Sequence, residues 1–249
     1  MKAVLRLLLL LCLAGVSLQL YFVGRIALMA VVNPESTAFE RSAIYSVATT
    51  TGSLPWRQLW TPYRNISDHL KRAVIASEDA SFTEHDGVDI EALEKAWDKN
   101  TKAEQKMQQG AKNATAKPGS AKPTKPPKII GGSTITQQLA KNLFLSGERT
   151  LLRKGQELVL TILLEKLLGK ERILEIYLNS VEWGEGVFGA EAAAQHYYRK
   201  SAANLSAFEA ARLAVMLPRP KYFETRPNSG YLSSRANTIA ARMGGVELP

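Results

Sequence analysis

A run of 17 residues without a charged side chain, Leu7 to Val23, constrains this chain more than any other feature. A bilayer core needs about 20 mainly apolar residues, with a usual range of about 17–25, so the run is long enough to cross a membrane. A cleaved signal peptide would have a shorter apolar region followed by a small-x-small site. Leu28-Met29-Ala30 fits such a site poorly. We therefore predict an uncleaved membrane anchor.

The charges beside the run predict its orientation. Lys2 and Arg6 precede it and favour a cytoplasmic amino terminus, whereas Arg25 follows it and argues weakly the other way. We predict a cytoplasmic N-terminus and signal-anchor helix at 1–32, and a domain at 33–249 that faces outward.

Metal and disulfide chemistry based on cysteine is excluded by composition. The one cysteine, Cys12, lies inside the apolar run, so neither an internal disulfide nor a cysteine zinc cluster can form. The three histidines, at positions 69, 85 and 196, lack the spacing of a metal motif such as His-Glu-x-x-His.

The chain is basic, with a formal net charge of +9, but most of that charge lies in one segment. Residues 98–128 hold eight lysines against Asp98 and Glu104, a net charge of +6. The segment is rich in Ala, Pro, Gly and Thr and has few residues for a core, so we predict a flexible insert. The alternative is a polybasic arm near anionic lipid, worth about 1 kcal/mol per Lys. A nucleic-acid partner is not expected, because the charge is concentrated in this insert and the domain is predicted to face outward.

Apolar periodicity and capping residues predict a mainly α domain. In the predicted helix Leu151–Leu168, the side chains expected to face inward are Leu151, Leu158, Ile162 and the Leu163-Leu164 pair. No run alternates strongly enough to predict a sheet. The predicted helices are one capped by Ser67 and ending at Glu78, one after Gly131-Gly132 through Phe144, Leu151–Leu168, a short one around Ile173–Leu178, one opened by Ser206-x-x-Glu209 and ended by Pro218, and Tyr231–Met243.

Gly184 to Gly189 spells G-x-G-x-x-G, the pattern of a dinucleotide-binding loop. That site needs a strand before the glycines and a βαβ unit around them. Here the pattern follows a predicted helix that ends near Asn179. We interpret it as a turn that allows close approach of the backbone.

Three polar groups have spacings that suit chemistry, and the first is the stretch Glu78 to Gly87. Glu78 ends an apolar helix, and Phe82 and His85 follow at short intervals. Burial there would raise the pKa of Glu78 and make its carboxylate a usable base. The alternative is an acidic surface at a helix C-terminus, where the macrodipole mildly disfavours negative charge.

The second group opens the helix after the two glycines. It offers Ser133, Gln137 and Gln138, with Lys141 one turn beyond the glutamines. The backbone N–H groups of such a helix start can hold an anion. A plain N-cap with a polar face is the simpler alternative.

The third group is Arg149, Arg153, Lys154 and Glu157. Glu157 is four residues after Arg153 and three after Lys154, so these three share a helix face. The cations could bind a phosphate while the carboxylate orients a nucleophile or a metal. The alternative, a solvated ion-pair face, contributes about 0.3–0.5 kcal/mol per pair. Together, the three groups predict two glutamates facing cations that suit a lipid-linked phosphate.

These motifs, taken in their order along the chain, resemble the motifs of the monofunctional peptidoglycan glycosyltransferases. The likeness spans roughly residues 56–223. The matching segments are Glu78-Asp-x-x-Phe82-x-x-His85-x-Gly87, Gly132-Ser-Thr-Ile-Thr-Gln-Gln-x-x-Lys141-Asn, Arg153-Lys-x-x-Glu157, Ile173-Leu-Glu-x-Tyr-Leu-Asn179, the Gly184–Gly189 turn with Glu191-Ala-Ala-Ala, and Glu209-Ala-Ala-x-Leu-Ala-x-x-Leu-Pro218.

The resemblance implies a lysozyme-like helical glycosyltransferase domain that polymerises lipid II onto a growing glycan strand, in cell wall biogenesis. It implies that Glu78 is the general base at the acceptor 4-hydroxyl and that Glu157 supports the donor. The transfer inverts the anomeric carbon and releases undecaprenyl pyrophosphate. Other residues that it assigns to binding substrate or shaping the site are Ser133, Gln137, Gln138, Lys141, Arg149, Arg153, Lys154, Phe82 and His85.

The resemblance also implies a cellular setting. The anchor would lie in the cytoplasmic (inner) membrane with the domain on the periplasmic face, beside proteins of cell-wall synthesis or division. No cofactor is required by the sequence, although a divalent cation (Mg²⁺ or Mn²⁺) would suit the pyrophosphate. No Ser-x-x-Lys or Lys-Thr-Gly occurs up to Pro249, so transpeptidase activity is not expected.

Two departures and two alternatives stay open. Gln156 is a lysine in some relatives, and the 98–128 insert is longer than the expected connection. A lytic transglycosylase shares the lysozyme-like fold but has no use for a cationic phosphate site. A membrane-anchored assembly protein, whose catalysis is dispensable, is the alternative from another functional class.

Overall fold

The computed structural model describes residues 1–51, 56–115, 132–145 and 150–249, with the side chains of 50–51 and 108–115 left out. The mainly α prediction is confirmed. The helices are α1 Lys2–Leu28, α2 Ala38–Thr51, α3 Asp68–Glu78, α4 Ile90–Thr115, α5 Ile135–Phe144, α6 Leu151–Leu167, α7 Lys170–Ser180, α8 Ala190–Tyr198, α9 Ala207–Met216, α10 Pro220–Glu224 and α11 Gly230–Arg242, with 3₁₀ turns at Tyr63–Asn65, Ala202–Asn204 and Met243–Gly245.

Local capping chemistry sets several helix starts. The Ser67 hydroxyl accepts the His69 N–H, as predicted, and Ser206 forms the predicted capping box with Glu209. The second predicted helix, expected after Gly131-Gly132, begins at Ile135, and Thr134 and Gln137 form a capping box at its start. These starts agree with prediction because a cap depends on residues within one turn.

The prediction of no sheet is wrong, since the described residues contain three short strands. They are β1 Arg57–Gln58, β2 Glu182–Gly184 and β3 Val187–Phe188, in the order β1-β3-β2. β1 runs parallel to β3 and β2 antiparallel to it. Strands of two or three residues show no alternation in sequence, and the partners of β1 lie far along the chain.

The Gly184–Gly189 pattern forms the β2–β3 hairpin, which confirms the turn interpretation. Gly189 has φ +84°, and a Cβ there would lie 2.8 Å from the carbonyl oxygen of Asn179. The glycine therefore allows the hairpin to approach the end of α7 closely.

The predicted inward face of α6 is wrong for three of its five residues. Leu151, Leu158 and Ile162 are 93%, 44% and 45% exposed, whereas Leu164 is fully buried. The helix is apolar around most of its circumference, so periodicity does not select one face. The buried stripe instead contains Leu160, Leu164 and Glu157.

The insert at 98–128 is only partly described, and its first part is not flexible coil. α4 continues as a helix to Thr115, and Ala96 is buried where the backbone at Gly132 comes close. Ala, Lys, Glu and Gln are strong helix formers, and the prediction gave too little weight to this propensity. Residues 116–128 lie outside the described part of the chain.

Two groups of helices carry the core. α3 packs on α9 and α11, while α5 packs on α2, α6 and α7. The Asp79 carboxylate, directly after α3, accepts the N–H of Ile135, the first residue of α5, so the end of α3 lies beside the start of α5.

The anchor helix α1 joins this core at its C-terminal end. Of the described helices, α1 is the one long and apolar enough to cross a membrane, with a mean hydropathy of 2.2. Ile26 and Met29 are buried with the core residues. Arg172 on α7 donates to the Met29 carbonyl at 2.8 Å and to the Val32 carbonyl at 3.2 Å. The helix thus fits a single-pass membrane anchor.

Candidate active site

Glu78 is the last residue of α3 and is half-buried. Burial raises the pKa of its carboxyl group, and the charge of Asp79 raises it further. Hydrogen bonds from Gln138 and Ser77, and the charge of Arg235, lower it and offset part of this effect. A carboxylate held in this way is a better proton acceptor than a solvated one.

Gln138 on α5 fixes the direction of that carboxylate. Its Nε2 donates to Glu78 Oε2 at 3.1 Å, and its Oε1 accepts the hydroxyl of Tyr177 on α7 at 3.0 Å. Burial and the charge of Glu78 raise the pKa of Tyr177 well above its ordinary value. The phenol therefore stays protonated, and its O–H turns the amide so that the N–H side faces Glu78.

Asp79 joins the end of α3 to the start of α5. Its Oδ2 accepts the backbone N–H of Ile135 at 2.9 Å, and its Oδ1 lies 2.8 Å from His85 Nε2. His85 Nδ1 accepts the N–H of Gly87, so Nε2 carries the proton that is donated to Asp79. A carboxylate at the first turn of α5 also suits the helix dipole.

Phe82 and His85 lie in the loop that follows α3, and their role in shaping the site stays a prediction. Phe82 is fully buried, and the Lys170 ammonium lies 4.6 Å from the centre of its ring. Lys170 also donates to the His85 carbonyl and pairs with Glu165 at 2.9 Å. A cavity of about 620 Å³ opens beside His85, between this loop and the start of α4.

The predicted ligands on α5 divide into buried and exposed side chains. Gln137 is buried, and its Oε1 accepts the Thr134 N–H in the capping box. The side chains of Ser133 and Lys141 are exposed. Their roles in binding sugar or phosphate oxygens stay predictions, and the amide of Gln138 faces Glu78.

The third predicted group assembles on α6. Glu157 is buried, with Arg153 Nη1 at 3.1 Å from one oxygen and Lys154 Nζ against the other. The group thus carries one net positive charge at the amino end of a helix, which favours an anion. Arg153 Nε is buried and lacks a hydrogen-bond partner in the parts of the chain that the structure describes. Arg149 lies outside those parts.

Comparison with known proteins decides the family. The profile described as Transglycosylase matches residues 46–117 and 119–244. A biosynthetic peptidoglycan transglycosylase of Burkholderia thailandensis is 52% identical over 236 residues, which cover 95% of this chain and 84% of that protein. A protein of the same name from Herminiimonas arsenicoxydans is 50% identical over 232 residues, 93% of this chain and 91% of its own.

The chain belongs to the transglycosylase family. The predicted resemblance is confirmed, and the protein is an enzyme that transfers glycosyl groups.

Three residues of this transglycosylase site were not singled out from the sequence. Tyr177 stands inside the Ile173–Asn179 motif, and Asp79 directly follows Glu78, so both had a signal. Arg235 on α11 had none, because its effect on Glu78 depends on packing of residues distant in the chain.

One described group of the transglycosylase brings metal-ligand types together. Single ligand atoms of Asp79, His85 and Asp89 lie within 4.8 Å of one another. Each is already engaged by the protein: Asp79 by Ile135 and His85, and Asp89 by the Ser81 hydroxyl and the Ala92 N–H. These contacts explain why the three side chains lie close together, and they give the cluster a structural role.

Proposed function

We propose that this enzyme is a peptidoglycan glycosyltransferase that polymerises lipid II into glycan strands. The observation that carries the proposal is the pair of unlike groups on α3 and α6. One is a half-buried carboxylate of raised pKa, Glu78, and the other is the cationic face of Arg153 and Lys154 around Glu157. The first suits proton removal, and the second suits a phosphate leaving group.

In the proposed reaction, Glu78 accepts the proton of the acceptor sugar's 4-hydroxyl. That oxygen forms a bond to the anomeric carbon of the donor chain, from the face opposite the pyrophosphate. The bond from the anomeric carbon to the phosphate oxygen breaks, and its electron pair leaves with undecaprenyl pyrophosphate. The anomeric centre inverts from α to β, and the proton on Glu78 passes to solvent.

Gln138 and Tyr177 keep the base aimed during this step. The amide donates to one oxygen, Oε2. Two lone pairs on a carboxylate oxygen point in different directions, so a proton can be accepted beside an existing hydrogen bond.

On the donor side, Arg153 and Lys154 would neutralise the charge that develops on the leaving pyrophosphate. Glu157 holds both cations in place by direct ion pairs. The side chain of Arg153 is 17% exposed and that of Lys154 is 53% exposed, so both cations are accessible to a phosphate oxygen. Lys141 is proposed to add a further cation from α5. A divalent cation would add charge neutralisation at the same pyrophosphate.

We propose that the domain works on the periplasmic face of the cytoplasmic membrane, where α1 holds it close to a lipid-linked substrate. Proteins of cell-wall synthesis or division are the proposed partners. We propose no transpeptidase activity for these 249 residues, which contain neither Ser-x-x-Lys nor Lys-Thr-Gly.

Polymerisation of labelled lipid II by the detergent-solubilised full chain tests the proposal. The wild type should form long glycan, and Glu78→Gln should lose about 10²- to 10⁴-fold in rate while still binding lipid II. Glu84→Gln is the matched control, because Glu84 is an exposed carboxylate in the same segment. No polymer from the wild type would favour the assembly-protein alternative, and a Glu78→Gln rate within tenfold of wild type would reject the base.

A further inference from the structure

Within its apolar run, the anchor helix α1 carries a polar side chain, Gln19, that bonds to the catalytic domain. Gln19 Nε2 donates to Gln156 Oε1 on α6 at 3.1 Å, and Gln156 Nε2 lies 3.4 Å from Gln19 Oε1. Within the apolar run the other clearly polar residue, Ser17, is exposed. An amide on an apolar membrane helix is costly unless it is paired, so the pair fixes which face of α1 meets α6.

Gln156 stands beside the donor-side group. It directly precedes Glu157 and comes three residues after Arg153 on the same helix. A displacement of α1 that breaks the amide pair would therefore shift or loosen the turn of α6 that holds both cations. In this protein the Gln156 amide binds the anchor helix.

Aromatic contacts extend the same face of α1 to α5. The ring of Phe22 meets the ring of Phe144 edge-on, with centroids 5.4 Å apart. The Arg25 guanidinium lies 5.6 Å from the centre of the Phe144 ring. Phe144 is the last residue of α5 and follows Lys141 by three residues. The anchor thus contacts the ends of both helices that carry the proposed donor-side cations.

The anchor helix is also held at its C-terminal end. Ile26 and Met29 are buried in the core, and Arg172 donates to the Met29 and Val32 carbonyls and to Asn33 Oδ1. Arg172 is itself paired with Glu175 at 3.0 Å. With its end tied to α7, the helix cannot swing freely against α6.

We propose that α1 forms one wall of the donor end of the active site, and that Gln19 is a positioning residue. Through Gln156 it sets the placement of Arg153, Lys154 and Glu157. The inference rests on the proposed function, because it assigns the donor pyrophosphate to these residues. It gives the anchor a role in substrate binding beyond confinement to the membrane.

The test compares Gln19→Leu, Gln156→Leu and the double variant in the full chain, in detergent, with lipid II as the substrate. Each single change leaves one amide without its partner, and the KM for lipid II should rise about five- to tenfold with kcat within about twofold. Ser17→Leu is the matched control, since it removes an exposed polar group from the same helix, and its kinetics should equal those of wild type.

The double variant decides whether the two amides act as a pair. With both replaced by leucine no amide is left unpaired, so its KM should be no higher than that of either single variant. Multiplied effects would show that the two residues act independently and would overturn the proposal. A smaller folded fraction would lower kcat at unchanged KM, which would also overturn it.

A binding measurement separates this inference from the proposed function. In a Glu78→Gln background, the Kd for undecaprenyl pyrophosphate should rise about five- to tenfold on Gln19→Leu and stay unchanged on Ser17→Leu. If the wild type forms polymer but Gln19→Leu changes neither KM nor Kd, the positioning role is rejected and the proposed function is retained. A wild type that neither polymerises lipid II nor binds the pyrophosphate rejects both.

Discussion

Gln138 binds Glu78 across the junction of α5 and α3, with 3.1 Å between its Nε2 and Oε2 of the carboxylate. Tyr177 donates its hydroxyl to the other end of the same amide. The three side chains come from three different helices, so the direction of the proposed base depends on how those helices pack.

Gln138→Leu should therefore change the pH dependence of the reaction. The hydrogen bond from Gln138 lowers the pKa of Glu78, so its loss raises that pKa. The acidic limb of the profile of kcat/KM against pH should move to higher pH, and the rate near neutrality should fall about tenfold, because hydrogen bonds to charged groups are strong. Tyr177→Phe should shift the limb in the same direction by less.

Gln195→Leu, a change at an exposed amide of α8, is the control for this profile. A rise in the KM for lipid II without movement of the acidic limb would contradict the prediction. That result would return Gln138 to the role expected from the sequence, binding sugar or phosphate oxygens.

Glu78 should also reduce the stability of the fold at neutral pH. Its pKa in the folded state is raised above the ordinary value of 4.5, so the folded state binds more protons than the unfolded state between the two pKa values. The free energy of unfolding then falls as pH rises through that interval. Glu78→Gln removes the penalty and should raise the Tm at pH 7.5, by about 2–4 °C for each kcal/mol recovered.

The gain should disappear at a pH below 4.5, the ordinary pKa, where Glu78 is protonated in both states. Thermal unfolding in detergent at the two pH values measures this, with Glu84→Gln as the exposed control. An equal gain at both pH values would mean that the substitution acts through packing and not through charge.

Local signals allowed much of the helical structure to be predicted. Ser67 and the Ser206–Glu209 pair mark helix starts because a cap forms within one turn. Glu78 and the Arg153–Glu157 face were found for the same reason, since residues on one helix have fixed spacing. The resemblance then added roles that spacing alone does not provide.

The remaining features depend on contacts between distant segments. Gln138, which donates to Glu78, lies 60 residues away along the chain. Tyr177, which donates to Gln138, lies 39 residues further on, and no local pattern pairs these residues. The wrong prediction of the inward face of α6 had a different cause. Apolar side chains beside a membrane anchor do not have to turn inward, so hydrophobicity alone cannot separate a core face from a face toward lipid.

Arg153→Ala should weaken donor binding. The change removes a cation, and the buried carboxylate of Glu157 keeps only Lys154 among its two ion-pair partners. We expect the KM for lipid II to rise at least tenfold, since charged hydrogen bonds of this kind are worth about 1.5–3 kcal/mol each.

Lys166→Ala is the matched control, because Lys166 is an exposed cation on the same helix. It should leave the KM within about twofold of wild type, as expected for an exposed charge. Equal effects of the two substitutions would mean that the net charge of α6 matters and that the position of Arg153 does not.

Gly87→Ala should disrupt the loop that follows Glu78, at the point where it lies against α6 and the start of α5. Gly87 has φ +86°, and a Cβ there would lie 2.7 Å from Thr161 Cγ2 and 2.8 Å from Glu165 Cγ. Its carbonyl accepts the Thr134 hydroxyl, and its N–H donates to His85. We expect a loss of about 2–4 kcal/mol in the free energy of unfolding, from the left-handed backbone and the overpacking.

Gly155→Ala provides the contrast, since nothing lies within 4 Å of a Cβ at that position in α6. There the greater helix propensity of alanine should stabilise the fold by about 0.5–1 kcal/mol. Thermal unfolding of the two variants beside wild type measures both effects. If Gly87→Ala unfolds at the wild-type temperature, the loop must be able to move away from α6, and the link from Gly87 through His85 and Asp79 to the base would then not be rigid.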